Sequence, residues 1–228
     1  MPAYVLVHGA WHGGWCWRRV RRALEASGDV VYSPTLTGLG DRAHLVSRDV
    51  GLETHIADVL AVLETEDLSD VVLVGHSYSG MVVTAVADRA AKRIARLVYV
   101  DAVVPRDGQC LYDRSSPQAK SFFEEQAKAG GDGWLVPPAG AKFLGLQREE
   151  DLNWVLPRLT PHPVRTFREA VRLASDPPPR RYINCIGDKP PGQPRSSQAE
   201  GIADYHELRT GHDAMVTAAG EVAALLRQ

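Results

Sequence analysis

The sequence predicts a doubly wound α/β fold, and three observations carry that expectation. Short aliphatic runs alternate with helix-length segments along the chain. The runs before residue 105 are near-continuous Val and Leu rather than alternating apolar and polar, which suits a parallel sheet covered on both faces. One of them, Val71 to Val74, stops at Gly75; Ser77 follows, and a helix-compatible stretch begins almost at once. Strand-helix alternation with right-handed crossovers then gives the layered architecture.

The expected strands lie over 3–7, 30–33, 71–74, 97–100, 181–186 and 204–208, and the expected core helices over 17–27, 54–64, 81–90 and 217–227. In the second helix Ile56, Val59, Leu60 and Leu63 repeat at helical spacing. Between about Val104 and Arg180 the rhythm breaks at Pro137-Pro138, at Gly130-Gly131-Asp132-Gly133 and at Pro177-Pro178-Pro179. Short amphipathic helices are expected there over 118–128, 149–156 and 164–173, with Trp134, Phe143, Leu144, Trp154 and Phe167 supplying apolar faces. The chain therefore reads as a core of residues 1–104 and 181–228 carrying an inserted helical lobe, 105–180, that covers a site. Residues 189–199 read as an exposed polar loop.

At 228 residues and 44% hydrophobic content the chain can bury one substantial core. A net charge of -2 gives no electrostatic reason to expect nucleic acid or an anionic membrane surface. Met1 leads directly into a strand-like run, so no signal peptide is expected, and no apolar run approaches the roughly 18 residues of a membrane span. Cys16, Cys110 and Cys185 are odd in number and far apart, which argues against a disulfide framework or a zinc site and fits a reducing cytoplasm. A homodimer is compatible with the sequence.

Strand, sharp turn and helix around Gly75-His76-Ser77-Tyr78-Ser79 form the context in which a serine is held on a strained elbow with its hydroxyl in a pocket. The motif is usually written G-x-S-x-G; here Ser79 fills the fifth place and glycine comes one later. A serine hydroxyl needs a base to take its proton, and the base needs a third group to hold its tautomer. His212, in a short loop between the last strand and the C-terminal helix, is the expected base. Two carboxylates are open for the third role: Asp188, just past the strand over 181–186, and its rival Asp101, at the end of the strand over 97–100. The oxyanion donors are expected at the amides of Tyr78 and Ala10, the latter freed by a turn at Gly9.

Other readings of the same residues are weaker. The glycine-rich first loop lacks the Lys and Ser/Thr of a phosphate-binding loop. His8 and His12 stand four apart, but in a loop and with no third ligand nearby, so no metal is expected and His8 is read as a brace. Gly38-Leu39-Gly40-Asp41-Arg42-Ala43 matches a dinucleotide pattern by letters, yet it is separated from its strand and opens no clear helix. His76 is read as packing. Trp134, Asp101 and His12 are the expected substrate contacts.

The run Val5 to Trp17 (VLVHGAWHGGWCW), the Ser77 elbow, Gly187-Asp188-Lys189 and Gly211-His212-Asp213-Ala214-Met215 together resemble the small α/β-hydrolases that include plant methyl-ester esterases and plant hydroxynitrile lyases. The resemblance spans essentially the whole chain and is vague only in the inserted lobe. It implies a six-stranded core, a helical cap after the fourth strand and no cofactor. It carries the nucleophile to Ser77, the base to His212, the acid to Asp188 and the oxyanion amides to Ala10 and Tyr78. The lyase members carry a threonine in the first loop and a lysine after the histidine; here those places hold Ala10 and Asp213, which points away from cyanohydrin cleavage. The expected activity is serine-dependent cleavage of small, mostly apolar carboxylic esters, with a lyase-like enzyme and a ligand-binding receptor on the same scaffold as alternatives.

Overall fold

The computed structural model describes residues 2–187 and 196–228. Strand β1 (Ala3–Val7) leads through a 3-10 turn (Gly14–Trp17) into helix α1 (Arg18–Glu25), followed by β2 (Val30–Tyr32), α2 (Leu52–Thr65), β3 (Val71–His76), α3 (Ser79–Arg89) and β4 (Ile94–Val100). A predominantly helical segment comes next: α4 (Pro117–Gly130), the short strand β5 (Leu135–Val136), α5 (Ala141–Leu144), α6 (Glu149–Val155), the short strand β6 (His162–Pro163) and α7 (Arg165–Arg168). The chain returns to the sheet with β7 (Arg180–Cys185) and β8 (Asp204–Leu208) and closes with α8 (Ala214–Thr217) and α9 (Ala219–Arg227).

The main sheet has six strands in the order β2-β1-β3-β4-β7-β8, with every pairing parallel. All six residues of β3 are buried, as a central strand with helices on both faces requires. Helix α3 is buried continuously from Ser79 to Ala87, because it packs against β3 and β4 of the sheet and against helix α2. A helix so enclosed must be apolar nearly all round, and Met81, Val82, Val83, Ala85 and Val86 make it so.

The expected strands all form, each within a few residues of the limits read from the sequence. Three helix expectations change. The helix expected over 164–173 forms only the turn α7, because Glu169 leaves it in extended geometry and its carboxylate accepts the Leu52 N–H at the start of α2, 2.6 Å away. The following residues are held instead by a main-chain bond from Val171 to the Gln109 carbonyl. The C-terminal helix begins earlier, at Ala214, and is broken at Ala218, where φ is -141° and ψ 42°. The first helix opens with the 3-10 turn that buries Trp17. The ribbon formed by β5 and β6, too short to show periodicity, ties the inserted segment together and anchors the first loop: the Trp11 indole donates to the Val136 carbonyl at 3.1 Å.

Candidate active site

The carboxyl ends of β1, β3 and β4 and the loop after β8 meet at one edge of the sheet, where open α/β folds place their ligand sites. Ser77 leaves β3 with φ 54°, the left-handed elbow the strand-turn-helix pattern calls for. Its carbonyl accepts the Val103 N–H at 3.0 Å, locking the elbow to the chain beyond β4. The Ser77 hydroxyl lies 2.9 Å from His212 Nε2. On the other side of the ring, His212 Nδ1 lies 2.6 Å from Asp101 Oδ2. A neutral imidazole with its proton on Nδ1 donates to that carboxylate and leaves Nε2 free to accept from Ser77.

The carboxylate on His212 is thus the rival of the two expected from sequence. Asp188 lies outside the described residues, and the single Nδ1 position is taken by Asp101. Asp101 follows β4 with φ 45°, a left-handed turn stabilised by its N–H donating to the Ile183 carbonyl at 2.8 Å, and it stands on the cavity wall as expected for a substrate contact.

The first loop and the elbow supply two amides. Neither the Ala10 nor the Tyr78 N–H has an acceptor among the described residues, and both residues line the cavity beside Ser77. His8 braces the Gly9–Ala10 peptide: its Nδ1–H donates to the Gly9 carbonyl at 2.8 Å, while its Nε2 accepts the Leu36 N–H at 3.0 Å. That pattern needs a neutral ring, and burial lowers the His8 pKa to about 3, so the tautomer stays fixed through the working range. Tyr78 is anchored by its side chain, with the hydroxyl 2.8 Å from His55 Nδ1 and the ring packed edge-on against His162.

Ser79 settles how the elbow tolerates a serine at the fifth place. Its buried hydroxyl faces the Val7 carbonyl at 2.8 Å and the His76 carbonyl at 2.9 Å, and accepts the His76 N–H at 2.8 Å, so it joins β1 to β3 under the nucleophile. The glycine that close packing demands is Gly80: a Cβ there would stand 1.9 Å from the Val103 carbonyl oxygen. The motif therefore keeps its small residue one position later.

Behind His212 lies a buried polar cluster. His12 Nδ1 faces the Ala10 carbonyl at 2.7 Å and Nε2 faces Asp213 Oδ2 at 3.0 Å. Burial disfavours the Asp213 carboxylate, but the His12 charge and hydrogen bond, with His76 and His212 behind them, outweigh it and hold its pKa below the usual value. His76 Nε2 donates to the His212 carbonyl at 2.9 Å. His12, expected as a substrate contact, is absent from the cavity lining: both its nitrogens are spent on this cluster, and it is 1% exposed. Asp213, adjacent in sequence to the histidine, also points away from the cavity, because His12 holds it.

Burial works against a charged His212, but the hydrogen bond and charge of Asp101, together with the charge of Asp213, raise its pKa above 6.5. A base must be neutral to accept a proton, so kcat/KM for an ester is expected to rise with pH through a midpoint above 6.5. A pH–rate profile checks this. Removing the Asp101 charge should move the midpoint down.

The cavity in front of Ser77 has a volume of about 260 Å³ and is walled mainly by Trp11, Leu111, Phe123, Phe143, Phe167 and Tyr182. Phe143 stands edge-on to both His212 and Trp11, at 5.5 and 5.8 Å between ring centres, and forms the rim. Trp134, expected in this wall, is absent from it: the ring lies under the Arg48 guanidinium, 5.1 Å away. The loop carrying His212 is held against α5 by two glycines. A Cβ on Gly211 would lie 2.6 Å from the Gly145 Cα, and the Asp213 N–H reaches the Leu144 carbonyl at 2.9 Å. Spacing alone could not foresee that contact or the Phe123 and Phe143 walls, since only the folded inserted segment brings them over the serine.

Residues 4–225 match the model of a family described as the alpha/beta hydrolase family. A carbendazim-hydrolysing esterase from Nocardioides sp. (strain SG-4G) is 39% identical, over 99% of this chain and 98% of the relative. Among solved structures, an extracellular alpha/beta-hydrolase from a Paenibacillus species superposes with a TM-score of 0.87 at 24% identity, over 99% of this chain and 98% of that one. The methylesterase MES16 from Arabidopsis superposes with a TM-score of 0.72 at 23% identity, over 100% of this chain and 98% of the other.

Proposed function

Because the chain belongs to the alpha/beta hydrolase family, we propose that it is a carboxylic ester hydrolase that cleaves small, mostly apolar esters through an acyl-enzyme on Ser77. The observation that carries this reading is the continuous proton path from Ser77 Oγ to His212 Nε2 (2.9 Å) and from His212 Nδ1 to Asp101 Oδ2 (2.6 Å), at the floor of an apolar cavity. The esterase name of the Nocardioides relative supports the same reaction class.

In this mechanism Ser77 Oγ attacks the ester carbonyl carbon as its proton passes to His212 Nε2. The carbonyl oxygen becomes an oxyanion between the Ala10 and Tyr78 amides, each such donor being worth roughly 10² to 10³ in rate. Asp101 stabilises the imidazolium and fixes its tautomer. His212 then gives the proton to the departing alkoxide, which leaves as the alcohol. Water enters, loses a proton to His212 and attacks the acyl carbon; Ser77 Oγ departs with that proton and the carboxylic acid is released. Residues 105–180 act as the cap that shapes the pocket and excludes bulk water.

A serine-reactive phosphonate titrated against turnover of chromogenic short-chain esters tests this. Activity should fall in proportion to covalent label, with one phosphonyl group on the peptide carrying Ser77. Label on another residue, or full turnover after Ser77 is labelled, would overturn it.

A cytoplasmic setting is part of the same reading, supported by Cys16, Cys110 and Cys185, none of them in a disulfide. Among the described residues no helix is long and apolar enough to cross a membrane.

A further inference from the structure

One wall of the cavity departs from its apolar character. Arg114, the last residue of the 3-10 turn Leu111–Arg114, lines the cavity together with Ser115, Tyr182 and Gln198. Those three neighbours already bond the main chain: the Ser115 hydroxyl donates to the Leu111 carbonyl at 2.9 Å, the Tyr182 hydroxyl to the Ala102 carbonyl at 3.0 Å, and the Gln198 amide to the Arg114 carbonyl at 2.9 Å. The Arg114 guanidinium is different. Its Nη2 donates to the Ser197 carbonyl at 3.0 Å, yet its Nε is buried and has no partner among the described residues. Among the described residues no carboxylate lies within ion-pair distance of it. The other charged group on the wall, Asp101, is committed to His212.

A buried donor left unpaired costs free energy that an incoming acceptor recovers. A guanidinium presents donors in a planar fork suited to carboxylate, and in a largely apolar cavity the attraction is less screened than in water. Resting on the esterase reading above, we infer that Arg114 is a specificity-determining residue that selects esters bearing a second, anionic acceptor, such as a carboxylate, away from the scissile carbonyl. Hemiesters of dicarboxylic acids are the substrate class with this chemistry.

The test compares methanol release from monomethyl adipate with that from its uncharged counterpart methyl hexanoate, in wild type, Arg114→Gln and Arg114→Lys. The quantity read is the ratio of kcat/KM for the two esters, which cancels any general loss of folded enzyme. Arg114→Gln should lower the ratio at least tenfold, mainly through KM of the adipate, and Arg114→Lys should restore part of it. An unchanged ratio in Arg114→Gln, while both esters still turn over in a Ser77-dependent way, sinks this inference and leaves the esterase reading standing. Failure of wild type to cleave either ester sinks both.

Discussion

Replacing Ser77 with alanine is expected to lower kcat for short-chain esters by about 10⁶-fold, the scale on which serine hydrolases lose turnover when the nucleophile is removed. The fold should tolerate the change. Ser77 contributes its backbone carbonyl to Val103 and its left-handed turn to the elbow, and neither depends on the hydroxyl. What persists is the pull of the Ala10 and Tyr78 amides on a carbonyl attacked by water. Steady-state rates with a chromogenic acetate, alongside thermal unfolding of both proteins, check this. A variant that keeps more than a few per cent of turnover would place the nucleophile elsewhere.

Asp101→Asn is expected to cost about 10⁴ in kcat, because the amide alters which nitrogen of the base carries the proton. The asparagine carbonyl can still accept from Nδ1, but its NH2 group favours a ring that presents Nδ1 as acceptor, which moves the proton to Nε2 and points it at Ser77. Substrate affinity should change far less, since asparagine is nearly isosteric with the aspartate it replaces on the cavity wall. The paired control is Asp188→Asn, the carboxylate favoured by family resemblance, for which less than a tenfold loss is expected. Kinetics of the two variants at a common pH decide between the carboxylates. A large loss from Asp188→Asn with a small one from Asp101→Asn would reverse the assignment made here.

That contest shows where reading the chain in one dimension stops. The four strands before residue 105 were legible because near-continuous Val and Leu runs leave a period-free apolar signature that Gly and Pro punctuate. Ser77 and Tyr78 were legible because strand, turn and helix geometry confines an elbow to a few residues, and Ala10 because the turn at Gly9 in the first loop frees its amide. His212 was legible from its loop between the last strand and the last helix. The acid was harder: β4 and β7 are neighbours in the sheet, so the sequence offered a carboxylate after each; Asp101, which turns out of β4 with φ 45°, is the one seen on Nδ1, and Asp188 lies outside the described residues. His12 and Trp134 went astray for a related reason. An aromatic or imidazole in a site-forming segment can turn inward or outward, and the partners that decided it, Asp213 and Arg48, stand 201 and 86 positions away in the chain. Ser79 looked like a defect of the motif until its three hydrogen bonds were seen.

Trp11, Ser77 and Asp101 all carry a side chain in the left-handed region, at φ 66°, 54° and 45°. Each such residue holds about 1–3 kcal/mol of conformational tension that surrounding contacts must contain. Glycine at Ser77 or Asp101 would relieve that tension but remove the nucleophile or the carboxylate with it, so durability and reactivity are set against each other at this sheet edge. Efforts to harden the molecule should therefore leave these positions alone and work on its far side.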